Sequence, residues 1–212
     1  MPLRYVALGD SYTIGTSVSP ADSWPSQLVA ALRAREATPG AGGASLESQN
    51  STLELTANLA VNGYTSRNVI DVELPQLDSL QPEFLSLLVG VNDVVQGVAS
   101  ETYELNVRTI LDDLVTRVGS ARILVLTTPD YTVTPAGADY GDPVRQSAAI
   151  RRFNEIASTA AAALGIMAID IFDLSLRAAE DQSLVAADGL HPSGTQYALW
   201  VKRIIATLPA HR

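Results

Sequence analysis

A serine, a histidine and a carboxylate that meet in space can run acyl transfer. The imidazole takes the hydroxyl proton, and the carboxylate fixes the ring tautomer and stabilises the imidazolium that forms. This chain offers few ways to assemble that set. It has two histidines, His191 and His211, and His211 is the penultimate residue, where chains fray. A histidine base therefore means His191. Asp188 stands three residues earlier in Asp188-Gly189-Leu190-His191-Pro192, near enough on a tight loop to reach one ring nitrogen. The candidate nucleophile is Ser11, in Gly9-Asp10-Ser11-Tyr12. Each residue also has a plainer role: Ser11 as a helix cap, Asp188 as a turn former before Gly189, His191 as a helix-entry residue before Pro192. The combination, not any one member, points to chemistry.

Acyl transfer also needs donors for the oxyanion. The backbone N–H of Ser11 at a helix start is one candidate. Gly63, in Asn62-Gly63-Tyr64, is a second, because glycine lets backbone approach a ligand. Asn92, in Gly90-Val91-Asn92-Asp93, offers a neutral amide donor, although an Asx turn or helix cap would use the same residue. Asp10 and Asp93 read as structural, shaping the turns that carry Ser11 and Asn92.

The elements that must position these residues alternate. Apolar, β-branched runs predict strands over 3–8, 53–61, 84–89, 122–127 and 165–170. Helical spacing predicts helices between them. One is entered through Asp142-Pro143 and ended by Gly165, another ends at Gly119, and a last one opens with a Ser193/Gln196 capping box. Strand alternating with helix predicts a parallel sheet covered on both faces, an α/β fold of the three-layer α/β/α, flavodoxin-like kind with about five parallel strands. Such folds bind ligands beyond the carboxyl ends of the strands. Ser11, Gly63, Asn92 and the Asp188–His191 loop all fall there.

Composition narrows the class. The 212 residues are 47% apolar and 17% charged, which suits a single globular domain spanning 1–212. The net charge of −9 argues against nucleic acid or an anionic membrane surface as partner. No apolar run reaches the ~18 residues of a membrane span, so stable membrane anchoring is not expected. No signal peptide is visible at the N-terminus, which leaves a cytoplasmic location as the expectation. Cysteine is absent, excluding disulfides and thiolate chemistry. No His/Cys cluster suggests a metal. The Gly/Ala/Ser-rich run 38–51 reads as a surface connection, 132–143 as a pocket wall, a lid or an ordinary long loop, and Trp24 as core at the first helix ahead of a place lining the pocket mouth.

Together these blocks resemble the SGNH hydrolases, or GDSL esterase/lipase family. Its four signature residues match Ser11, Gly63, Asn92 and His191 in order, and its triad aspartate matches Asp188, over residues 9–192. Tyr12 departs from the leucine of the family's name. The resemblance implies ester hydrolysis through an acyl-enzyme on Ser11. The catalytic set would be Ser11, Asp188 and His191, with an oxyanion hole of Ser11, Gly63 and Asn92 and neither metal nor cofactor. The expected partner is a small ester: a short-chain acyl ester, an acetylated sugar or a lysophospholipid-like ester. Oligomeric state is left open. An acyltransferase would use the same residues. A non-catalytic binding module would not need all four. A receiver-type signalling module would need a lysine at the end of the last strand, and the sole lysine, Lys202, lies in the final helix.

Overall fold

The computed structural model of the chain describes residues 2–36 and 52–208. His211 and the run 38–51 lie outside the described residues. In chain order the elements are β1 (Leu3–Gly9), α1 (Ser11–Ile14), α2 (Trp24–Glu36), β2 (Leu53–Asn58), α3 (Ser66–Asn68), α4 (Leu77–Leu80), β3 (Phe84–Leu88), α5 (Val91–Val95), α6 (Ser100–Val118), β4 (Ile123–Leu126), α7 (Pro143–Ala163), β5 (Met167–Ile169), α8 (Phe172–Leu176) and α9 (Gly194–Thr207).

The five strands form one parallel sheet in the order β2-β1-β3-β4-β5. This is the flavodoxin-like order, whose direction reverses between β1 and β3. Right-handed crossovers on either side of that reversal send the helices to opposite faces. Accordingly α2 packs on α9 and α6 packs on α7. The central strands β3 and β4 read as near-continuous apolar runs, interrupted by Ser86, because both their faces are covered. Every residue of β3 and β4 is buried. Trp24 opens α2 fully buried in the core.

Two strand ends depart from the hydropathy pattern by two residues or more. The run 53–61 predicts three more residues of β2 than form. The strand stops at Asn58, whose amide donates to the Thr13 carbonyl at 2.8 Å and whose oxygen accepts from Ala60 N–H at 3.3 Å. The last strand starts at Met167 rather than Gly165, because the N–H groups of Gly165 and Ile166 close the end of α7 on the Ala162 and Ala161 carbonyls. The Ser193/Gln196 box is half formed. Ser193 Oγ accepts from Gln196 N–H at 3.3 Å, while the Gln196 side chain donates instead to the Leu184 carbonyl at 3.1 Å.

Candidate active site

Ser11 begins α1 directly beyond β1, and Asn92 sits in α5 directly beyond β3. Both lie at the point where the strand order reverses. The β1 end is pressed against its neighbour: a Cβ on Gly9, at φ +143°, would lie 2.0 Å from the Leu88 carbonyl oxygen. Only glycine fits there. The N-cap of α1 is Asp10, not Ser11, with Asp10 Oδ1 accepting from Tyr12 N–H at 3.0 Å. The Ser11 hydroxyl is thereby released from capping. Ser11 is 4% exposed, and its hydroxyl enters no hydrogen bond among the described residues.

His191 reaches the same place from the loop before α9. An antiparallel bridge between Val185 and Pro192 closes that loop, and Ala186 N–H donates to the His191 carbonyl at 2.7 Å. Within it the Asp188 carboxylate lies 2.6 Å from His191 Nδ1. Asp188 also accepts from Leu190 N–H at 2.9 Å, from His191 N–H at 3.0 Å and from Ser17 Oγ at 2.6 Å. Burial raises the Asp188 carboxyl, but these donors outweigh it and hold the group below its ordinary range. Asp188 is therefore a carboxylate at neutral pH, and the Nδ1 contact leaves Nε2 as the ring nitrogen available for other work. The Tyr12 ring lies against the imidazole, centroids 5.7 Å apart.

Asn92 does not cap α5; Gly90 occupies that position. The Asn92 amide instead donates to the Tyr64 carbonyl at 2.9 Å, joining α5 to the turn that holds Gly63. A second tie lies beneath: Asp93 accepts from Ser66 N–H at 2.8 Å and Ser66 Oγ at 2.5 Å, and Asn106 donates to Ser66 Oγ at 3.0 Å. Gly63 adopts φ +86°, which favours glycine even though the space around it is open. The N–H groups of Ser11 and Gly63 have no acceptor among the described residues.

Ser11, Asn92 and His191 line one cleft of about 130 Å³, together with Tyr12, Asn62, Val91, Val95, Tyr131, Tyr140 and Leu190. Gly63 is not among the lining residues; its neighbour Asn62 is. The run 132–143 contributes one wall through Tyr140, whose ring meets that of Tyr131 edge to face at 5.8 Å. Ser17 and Glu73 are among the polar residues around the site that the sequence did not single out. Among the described residues, no three His, Asp or Glu side chains gather as a metal-binding group, and no helix is long and apolar enough to cross a membrane.

Comparison with known proteins decides the family. The model of the GDSL-like Lipase/Acylhydrolase family matches residues 7–199. The chain belongs to that family. It is a carboxylic ester hydrolase, and its substrates are small esters. Solved structures share the fold at low identity. An acetylxylan esterase from Geobacillus stearothermophilus is 17% identical with a TM-score of 0.71, over 99% of this chain and 95% of that one. A lipase/acylhydrolase from Enterococcus faecalis is 21% identical with a TM-score of 0.68, over 99% of this chain and 100% of that one. LAE5, an alpha/beta hydrolase enzyme from the Lake Arreo metagenome, is 18% identical with a TM-score of 0.69, over 96% and 94%. No curated protein sequence matches the chain.

Proposed function

We propose that this hydrolase cleaves short-chain acyl esters through an acyl-enzyme on Ser11. The observation that carries the reading is the Asp188–His191 contact of 2.6 Å in a cleft that Ser11 and Asn92 also line. His191 Nε2 takes the Ser11 proton as Oγ attacks the acyl carbon, and Asp188 stabilises the imidazolium. The Asn92 amide and the N–H groups of Ser11 and Gly63 receive the oxyanion. The Asn92 amide has two N–H bonds; one is committed to Tyr64, and the other is available. His191 then protonates the leaving alcohol, and water, activated by the same imidazole, releases the acid.

The acyl preference follows from size. A cleft of about 130 Å³ is slightly smaller than the ~150 Å³ cavity that takes up one benzene. That accommodates an acetyl to butyryl group but not a fatty chain wholly inside. Tyr140, a partly exposed lining residue, supports an alcohol portion that is itself bulky, such as an acetylated sugar. The test is a series of esters from acetyl to dodecanoyl on one alcohol, with an acetylated sugar alongside. The expected result is a kcat/KM maximum at or below four carbons. A maximum at ten or more carbons would refute the short-chain reading while leaving ester hydrolysis intact.

A further inference from the structure

Beneath Ser11 lie acids that the proposed reaction does not use. Glu73 is fully buried, in a π-helical turn formed by Val69–Glu73. Its Oε2 accepts from the Gly9 N–H at 2.9 Å, and its Oε1 has no partner. Asp10 is also fully buried, with Oδ2 unpartnered. Gly9 is the last residue of β1, one residue before the Asp10 cap and two before Ser11. Its backbone packs closely against the Leu88 carbonyl on one side, and its N–H is held by Glu73. The backbone that aims Ser11 is thus clamped between β3 and one glutamate side chain.

No cation balances these acids among the described residues. From β1 and the turn after it, Asp10 faces Glu73, and Asp93 from α5 and Tyr103 from α6 face Asp10. Arg67, Arg4, Arg108 and Arg117 pair with other acids: Arg67 with Asp71, Arg4 with Glu83, Arg108 with Glu104, and Arg117 with Asp113 and Asp78. An unpaired buried carboxylate is far costlier than a buried neutral carboxyl. Burial and the Asp10 charge push Glu73 up to about 9, while burial and Asp93 push Asp10 up to about 8. Asp10, which caps α1 and faces a helix N-terminus, takes the first charge of the pair. Glu73 would take the second.

We propose that Glu73 is a positioning residue for the nucleophile: as a neutral carboxyl it braces the Gly9 N–H behind Ser11, and its ionisation sets the alkaline limit of activity. Ionised Glu73 puts two like, unpaired charges side by side under the β1–α1 turn, and the turn relaxes away from the alignment that acyl transfer needs. Glu73→Gln mimics the neutral acid and cannot ionise. The proposal rests on Ser11 being the nucleophile.

The test is the rate of labelling by a fluorophosphonate probe from pH 7 to 10, for wild type, Glu73→Gln, Glu73→Ala and Ser11→Ala, with thermal midpoints alongside. For wild type the rate should fall about tenfold between pH 8 and 10, as one acid ionising near 9 dictates. Glu73→Gln should fall less than about threefold over that range, having no second charge to acquire. At pH 7.5 Glu73→Ala should lose about tenfold, and Glu73→Gln should recover most of it. If Glu73→Ala does not fold, the Glu73→Gln profile decides alone. An alkaline fall in Glu73→Gln equal to that of wild type overturns the proposal, as does a loss at pH 7.5 as large as that of Glu73→Ala. Both leave Ser11 standing, provided Ser11→Ala is unlabelled. Labelling of Ser11→Ala removes Ser11 as nucleophile, and this proposal with it.

Discussion

The Asn92 amide donates to the Tyr64 carbonyl at 2.9 Å across two strand-end loops that are 28 residues apart in the chain. That bond ties α5 to the turn carrying Gly63, and so links two candidate oxyanion donors. It also orients the amide, because one N–H is spent on Tyr64 and the plane of the group is set. The amide lines the cleft rather than capping α5, a position held by Gly90.

Asn92→Ala tests this directly. A purely structural amide would cost about 0.5–2 kcal/mol of stability and leave kcat per folded molecule near wild type. An oxyanion donor costs about 10²–10³ in kcat, with KM little changed, because charge develops on the carbonyl oxygen only in the transition state. The expected result is the second. The measurements are kcat, KM and thermal midpoint on one soluble ester, and a folded variant within about threefold of wild-type kcat would exclude Asn92 from the oxyanion hole.

Asp10 yields a prediction about stability. Burial first, then the charge of Asp93, raises its carboxyl from 3.8 to about 8. The folded protein therefore holds this proton after the unfolded chain has released it. From pH 3.8 to about 8 the unfolded state binds fewer protons, so the contribution of this group falls as pH rises and levels off above 8. Asp10→Asn keeps a side chain able to cap α1 and removes the titration. Its thermal midpoint should gain on wild type between pH 5 and pH 8.5. Parallel midpoint curves for the two proteins would show that Asp10 does not titrate in this window.

Much of the candidate site could be read from residue types because its proposed chemistry draws on scarce ones. With two histidines in the chain, His191 and the nearby Asp188 were nearly forced, and the strand-end rule gathered Ser11 and Asn92 beside them. Strand ends were less legible. Hydropathy carries on through 59–61, but Asn58 spends its side chain on Thr13 and Ala60 and stops β2. Glu73 went unseen because an acid between Val72 and Leu74 looks like a solvent-facing helical residue. The available clue was its spacing: Val69, Glu73 and Leu77 share one helical face, and all three are buried. Ser17 was invisible for another reason. Its bond to Asp188 joins residues 171 positions apart, and no local pattern encodes that.

Tyr140 lines the cleft. It is 44% exposed and touches Tyr131 edge to face, a pair worth about 0.5–1.5 kcal/mol beyond its area. Tyr140→Ala should lower stability only by about that amount and open the wall. The ratio of kcat/KM for an octanoyl over an acetyl ester should rise at least about tenfold, within the range a hydrophobic pocket assigns to a methylene. An unchanged ratio in a folded variant would move the acyl site away from this wall.

The Asp188–His191 pair supplies the sharpest separation of roles. Asp188 Oδ2 contacts both His191 Nδ1 and Ser17 Oγ, while Oδ1 accepts the Leu190 and His191 N–H groups. One oxygen thus holds the ring and the other holds the loop. Asp188→Asn keeps the shape, but an amide has one acceptor oxygen. If that oxygen stays on the backbone N–H groups, the NH₂ faces His191 Nδ1 and favours the tautomer with its proton on Nε2. His191 then cannot accept the Ser11 proton, and kcat should fall about 10⁴-fold. Ser17→Ala removes one donor to the same oxygen and leaves the tautomer intact, so its kcat should fall by less than about tenfold. Asp188 is also held below its ordinary carboxylate value, 3.8. Its stabilising contribution is therefore present above that value and is lost as pH falls through and below it. Asp188→Asn should accordingly flatten the acid side of the thermal-midpoint profile while it abolishes most activity at neutral pH. Equal kcat losses in Ser17→Ala and Asp188→Asn would mean that loop geometry, not the imidazole tautomer, is what Asp188 provides.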